Sequence, residues 1–149
     1  MKKLCFVSSS GGHFEEIKCL TPLLEKGYDG FFVTEDTDFN SNAKYKMIST
    51  GSNDVFVFFK LFIMFWHGLY IWIKERPDCV ITSGALICLP FWILCRIFRK
   101  KFIYIETFAR VQGGSKTGKF MYKRADLFII QWKSLKAVYP DAVYGGSIF

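Results

Sequence analysis

At 149 residues, 51% hydrophobic and 19% aromatic, the chain is long enough for one domain with a substantial core and too apolar to be disordered. Its formal net charge of +7 favours nucleic acid, anionic lipid or phosphorylated substrates, all of which reward clustered cations. Those cations gather as Arg96, Arg99, Lys100 and Lys101 behind one apolar segment, and as Lys116, Lys119, Lys123 and Arg124 in another. Both groups adjoin apolar or glycine-rich stretches and no RNA-binding signature accompanies them, which ranks a membrane surface above nucleic acid. The five cysteines are odd in number and lie mostly within apolar runs without short paired spacing. They read as core residues in a reducing compartment rather than as disulfides or metal ligands.

After Lys2 and Lys3 the first apolar run, Leu4 to Val7, is too short for a secretory signal, so the chain is expected to stay in the cytoplasm. A strand is predicted over Lys3 to Ser8, followed by the small-residue loop Ser8-Ser9-Ser10-Gly11-Gly12-His13 and a helix over Phe14 to Lys26. A strand that breaks into such a loop and enters a helix aims free backbone N–H groups at one point, an arrangement that captures phosphate. Ser10, Gly11 and Gly12 are therefore candidate diphosphate-binding residues, with His13 on the lip. The loop lacks the third glycine of a dinucleotide fingerprint, and a Gly-Gly turn also serves plain steric ends.

Strands are predicted next over Gly30 to Thr34 and Lys46 to Ser49, with Asp36-Thr37-Asp38 between them read as an ordinary acidic turn. A helix over Asp54 to Lys74 contains the apolar segment Val55 to Ile73, roughly 28 Å long at 1.5 Å per residue. By length it just spans a bilayer, but Lys60, His67 and Lys74 form a polar stripe, and spanning would part the two halves of one sheet. A helix partly in the core and partly dipped into the membrane interface is expected, with Phe58, Phe59, Phe62, Phe65 and Trp66 as membrane-associating residues; a purely buried helix is the alternative.

Further strands are predicted over Cys79 to Thr82, Lys101 to Glu106 and Leu127 to Gln131, with helices over Leu86 to Phe98 and Lys116 to Lys123. Thr82-Ser83-Gly84-Ala85 repeats the strand, small loop, helix arrangement and adds Ser83 and Gly84 as backbone donors. Glu106 and Arg110 follow the next strand and supply a carboxylate and a guanidinium, or else a surface ion pair. The run Gly113 to Lys119 has the spacing of a P-loop, yet Phe120 stands where a Ser or Thr would hold magnesium. The economical fold is α/β: a single Rossmann-like domain over residues 1–149, doubly wound on a mostly parallel sheet, with ligands at the C-terminal strand edges.

Ser9-Ser10-Gly11-Gly12-His13, Pro77-Asp78 running into Thr82-Ser83-Gly84, Glu106-Thr107-Phe108-Ala109-Arg110-Val111, Thr117-Gly118-Lys119, Ala125-Asp126 with Gln131-Trp132, and Tyr139-Pro140 with Tyr144-Gly145-Gly146 together resemble the Alg-fourteen family, including its bacterial capsule and exopolysaccharide members. The resemblance implies the N-terminal half of a GT-B glycosyltransferase similar to MurG, working with a separate Alg-thirteen-type catalytic subunit that binds the UDP-sugar donor. It implies a membrane-associated acceptor-side subunit, inactive alone, with no cofactor of its own. The length agrees, since a cleft enzyme needs two such domains. Lys133 departs from the acidic residue or proline expected there.

The expected chemistry is inverting transfer from a UDP-sugar on the partner to a hydroxyl of a lipid-diphosphate-linked saccharide at the cytoplasmic membrane face. His13 lies beside the loops as the candidate to take the hydroxyl proton, the work histidine does most often, and Glu106 is the competing base. Gly11, Gly12, Ser83 and Gly84 would hold the diphosphate with Arg110 as charge partner, and no metal is required. Two alternatives remain: a non-catalytic membrane scaffold or activator of the partner, and a nucleic-acid-binding module supported by net charge alone.

Overall fold

Alternating apolar runs become strands β1 (Lys3–Ser8), β2 (Asp29–Glu35), β3 (Tyr45–Met47), β4 (Cys79–Gly84), β5 (Lys101–Ile105), β6 (Leu127–Ile130) and β7 (Val143–Tyr144). In the computed structural model, which describes residues 1–39, 41–51 and 54–149, they form one parallel sheet in the order β3-β2-β1-β4-β5-β6-β7. The chain works outward from β1 to β3, returns across the sheet to β4, and continues outward the other way. The order therefore reverses between β1 and β4, where open α/β sheets bind ligands.

The pleat sends Cys5 and Val7 to one face and Leu4 and Phe6 to the other. Helices α1 (Gly12–Lys18) and α2 (Pro22–Glu25) cover the second face. Helices α3 (Val57–Glu75), α4 (Cys88–Ile97) and α5 (Lys116–Met121) cover the first. This division is what right-handed crossovers require when the sheet is wound in both directions. A 3-10 turn at Lys133–Ala137 and the exposed β7 close the chain and were not expected.

The expected single helix over Phe14 to Lys26 is broken between Lys18 and Pro22. Pro22 lacks an N–H and occupies the first turn of α2, where no intrahelical donor is needed. Helix α3 begins and ends close to its expected bounds, and its N-terminal side is steadied by Lys60, which pairs with Asp54 and donates to the Ser49 carbonyl at 3.0 Å.

The other end of α3 is fixed by Glu75, a buried carboxylate that pairs with Lys3 Nζ at 2.6 Å and Lys44 Nζ at 2.7 Å and accepts from the Tyr45 hydroxyl. Burial works to raise its pKa, but these hydrogen bonds and the Lys3 charge outweigh it and hold the group down at about 2. Burial and the same carboxylate push the Tyr45 hydroxyl up to about 12. One acidic residue thus joins α3 to β1 and β3.

One side of α3 packs Met64, Gly68, Ile71 and Trp72 into the core. The opposite side leaves Phe58 83%, Phe59 64%, Phe62 60% and Trp66 55% exposed, and Tyr70 and Ile73 of the same helix, with Ile97 at the end of α4 and Phe98 after it, are exposed apolar residues as well. Phe65 is not among them. It is half-buried against the core, in the seam with α4, because the 3.6-residue period turns it inward between Phe62 and Trp66. The helix is long and apolar enough to cross a membrane by length and composition, yet it lies along the sheet as an integral cover.

Candidate functional site

The two small-residue loops meet at the β1/β4 reversal, but they do different things. The Ser9 N–H donates to the Gly84 carbonyl at 3.1 Å, and the Ser83 hydroxyl donates to the His13 carbonyl at 3.1 Å. The Gly84 N–H is taken by the Thr82 hydroxyl at 3.0 Å. Gly84 has a φ of +99°, and a Cβ there would come within 3.0 Å of the Tyr104 hydroxyl, so glycine is needed for both conformation and space. The expectation that Ser83 and Gly84 offer free donors is corrected: Ser83 is fully buried, its hydroxyl and the Gly84 carbonyl clasp the first loop, and the Gly84 N–H is spent on Thr82 of its own strand.

The first loop keeps its donors. Gly11, with φ 75°, turns the chain into α1, and its carbonyl accepts from the Phe14 and Glu15 N–H groups at 2.9 and 3.1 Å. The Gly12 and His13 N–H groups begin the helix and make no hydrogen bond among the described residues. Gly12 is exposed with open space around its α-carbon, and Ser10 is half-buried beside it. At the strand tips below, the buried Ser8 and Thr34 hydroxyls have no protein partner.

His13 stands on this loop with its side chain 30% exposed. Its ring lies over Gly84, whose Cβ position is 3.8 Å from His13 Cε1. Nδ1 points inward, is buried, and has no hydrogen-bond partner. The nearest carboxylate oxygen is Glu16 Oε2 at 3.9 Å, one helical turn on. Glu16 is itself buried and accepts from the Thr107 hydroxyl at 3.0 Å, the Phe108 N–H at 2.7 Å and Gln131 Nε2. Gln131 Nε2 also donates to the Glu106 carbonyl at 3.0 Å, which ties α1 to the tips of β5 and β6.

Glu106 does not face this site. It is fully buried on the α3–α5 side of the sheet and accepts from the Thr107 N–H at 3.1 Å, the Ser115 N–H at 3.0 Å and the Tyr139 hydroxyl at 2.7 Å. Burial, and then the adjacent carboxylate, push the Tyr139 hydroxyl upward. A Cβ on Gly118 would stand 2.1 Å from Glu106 Oε2. The glycine run that mimics a P-loop therefore folds around an internal carboxylate instead of a phosphate. The expectation of Glu106 as a base is corrected accordingly: three internal donors hold the carboxylate and the group is sealed from solvent.

Arg110 is exposed beyond Glu106, and its side chain makes no hydrogen bond or salt bridge among the described residues. Asp36 and Asp38 are exposed, and among the described residues no group of three or more His, Cys, Asp and Glu is gathered to hold a metal ion. Glu16, beside His13, and Glu75, at the end of α3, are buried carboxylates that the sequence reading did not single out. The signal for Glu16 was weak but present: it falls three residues after His13 and directly before Ile17, on the buried side of a short helix.

The parallel sheet, its reversal at β1/β4 and the open glycine loop there define one Rossmann-like half of a GT-B fold. Acinetobacter baumannii MurG superposes with a TM-score of 0.74 at 13% identity, over 90% of this chain and 43% of that one. An S. aureus MnaA structure with UDP superposes with a TM-score of 0.75 at 13% identity, over 99% of this chain and 44% of that one. The chain thus spans less than half the length of these structures. In sequence, residues 51–148 match the family described as oligosaccharide biosynthesis protein Alg14 like, and the chain belongs to that family. The human UDP-N-acetylglucosamine transferase subunit ALG14 is 28% identical over 95% of this chain and 81% of the relative.

Proposed function

We propose that this chain is the acceptor-side subunit of a two-component, UDP-sugar-dependent glycosyltransferase acting on a lipid-diphosphate-linked saccharide in polysaccharide or oligosaccharide biosynthesis. The observation that carries the reading is the open loop at the β1/β4 reversal, where unpaired Gly12 and His13 N–H groups and a half-exposed imidazole stand together. Ser10, Gly11 and Gly12 receive the diphosphate through the backbone at the positive end of α1, and Arg110 supplies charge from across the edge. The donor half is a separate Alg-thirteen-type subunit. UDP-N-acetylglucosamine is the first donor to test because the ALG14 relatives are named for it.

In the transfer, His13 Nε2 takes the acceptor hydroxyl proton as that oxygen bonds to the anomeric carbon of the donor sugar. The bond from that carbon to the UDP oxygen breaks on the opposite face, and its electron pair leaves with UDP. The exposed face of α3, from Phe58 through Trp66 to Ile73, rests in the cytoplasmic membrane interface, and the exposed Arg96 of α4 and Arg99 just after it add positive charge for anionic headgroups.

The test is sugar transfer from UDP-N-acetylglucosamine to a lipid-diphosphate-sugar by this chain alone, by the Alg-thirteen-type subunit alone, and by the pair. Activity confined to the pair is expected. Turnover by this chain alone refutes the half-enzyme reading. A scaffold reading is favoured by the internal use of Ser83, Gly84 and Glu106, and full turnover by the partner presented on membranes without this chain would support it.

A further inference from the structure

Glu16 is a buried carboxylate whose hydrogen bonding is nearly, but not fully, complete. Its Oε1 accepts from both the Phe108 N–H and Gln131 Nε2, whereas among the described residues Oε2 accepts only from the Thr107 hydroxyl. A carboxylate oxygen has two lone pairs, so among the described residues one site on Oε2 is open. His13 Nδ1 lies 3.9 Å from that same oxygen and is buried without a hydrogen-bond partner among the described residues. An approach of about 1 Å, within the adjustment expected of a half-exposed side chain on ligand binding, brings the pair into charge-assisted hydrogen-bond range. Among the described residues no Lys or Arg lies within salt-bridge distance of Glu16, and His13 is its one ionisable contact of opposite sign.

We propose that Glu16 is the positioning residue of His13, holding the imidazole proton on Nδ1 so that the Nε2 lone pair faces the acceptor hydroxyl. The inference rests on the reading of His13 as proton acceptor and adds how that nitrogen is kept free. Three donors from the tips of β5 and β6 lock the Glu16 rotamer, so the carboxylate is preorganised before any ligand arrives. When Nε2 takes the proton, the imidazolium forms next to an anion already in place, the role a buried carboxylate plays in catalytic Asp–His pairs. Glu16 touches neither donor nor acceptor and works through His13 alone.

The imidazole nitrogen-15 resonances of the isolated chain report the tautomer directly. The expected result is a neutral His13 with its proton on Nδ1. In Glu16→Gln the side-chain amide presents an N–H toward Nδ1, so the proton moves to Nε2, and the reconstituted pair loses about 10- to 100-fold in kcat with the acceptor KM within about twofold. Thr107→Val removes a donor from the same carboxylate and serves as the structural control, with the Nδ1 tautomer retained. A wild-type proton on Nε2 overturns the proposal without need of any variant. An unchanged kcat in Glu16→Gln, where His13→Ala is inactive, overturns the proposal and leaves the proposed function standing. Full turnover in His13→Ala removes the base itself and the positioning role with it.

Discussion

Two buried carboxylates sit at the same end of the sheet, on opposite faces, and only one of them faces an imidazole that reaches solvent. Glu106 is enclosed by the Thr107 and Ser115 N–H groups and the Tyr139 hydroxyl, and the glycine loop closes over it. Glu16 has three donors as well, but its remaining acceptor site looks toward a half-exposed imidazole. Burial of an acid is therefore no mark of chemistry by itself. What separates the two is a titratable neighbour with a path to solvent.

The largest effect is expected from opening the Glu106 enclosure. Glu106→Ala leaves two backbone N–H groups and the Tyr139 hydroxyl without partners, a cost of about 3 kcal/mol or more, read as a lower midpoint in urea unfolding. Gly118→Val drives side-chain carbon into the same oxygen and is expected to be at least as damaging. Next comes the division of the aromatic residues on α3. Phe62→Asp with Trp66→Asp is expected to reduce binding to anionic vesicles by at least about 100-fold while the chain stays folded, because both side chains are exposed. Phe65→Asp is expected to destabilise the fold instead, since that ring packs inward. Equal vesicle binding by the double variant and the wild type would discard α3 as the membrane face.

Glu75 provides a third kind of buried acid, paired with lysines. Its pKa of about 2 in the folded chain lies below the ordinary 4.5. The stability it contributes is present above about pH 4.5 and is lost as pH falls toward 2. Glu75→Gln is expected to show a shallower loss of stability across that window than the wild type, measured by thermal melting at a series of pH values. The smallest effect is expected at Ser83→Ala, about 1 kcal/mol for one hydrogen bond to the His13 carbonyl, with the loops still joined by Ser9 and Gly84.

Six of the seven strands were legible because each is a short apolar or β-branched run followed by small or polar residues, whereas the two-residue β7 is too short to show as one. The break before Pro22 was visible in principle, since proline ends the preceding helical hydrogen bonding. The different fates of the two glycine loops were not legible. Both read as strand, small residues, helix, and only the hydrogen bonds of Ser83 and Gly84, formed in the folded chain, distinguish the closed loop from the open one. Glu16 was hidden for a related reason: its donors lie 91, 92 and 115 residues away in sequence, and nothing local announces them. Glu106 misled because a carboxylate after a strand at the ligand edge is the usual place for chemistry, while the residues that enclose it come from the later Ser115 and Tyr139.

The central claim is that transfer chemistry belongs to the open loop of this chain. The most direct measurement is the rate of sugar transfer by the reconstituted pair carrying His13→Ala, alongside urea unfolding of the variant chain. A loss of about 100- to 10,000-fold in kcat is expected, with the unfolding midpoint nearly unchanged. Undiminished transfer by the folded variant would contradict that claim and leave this chain a recruiter of its partner.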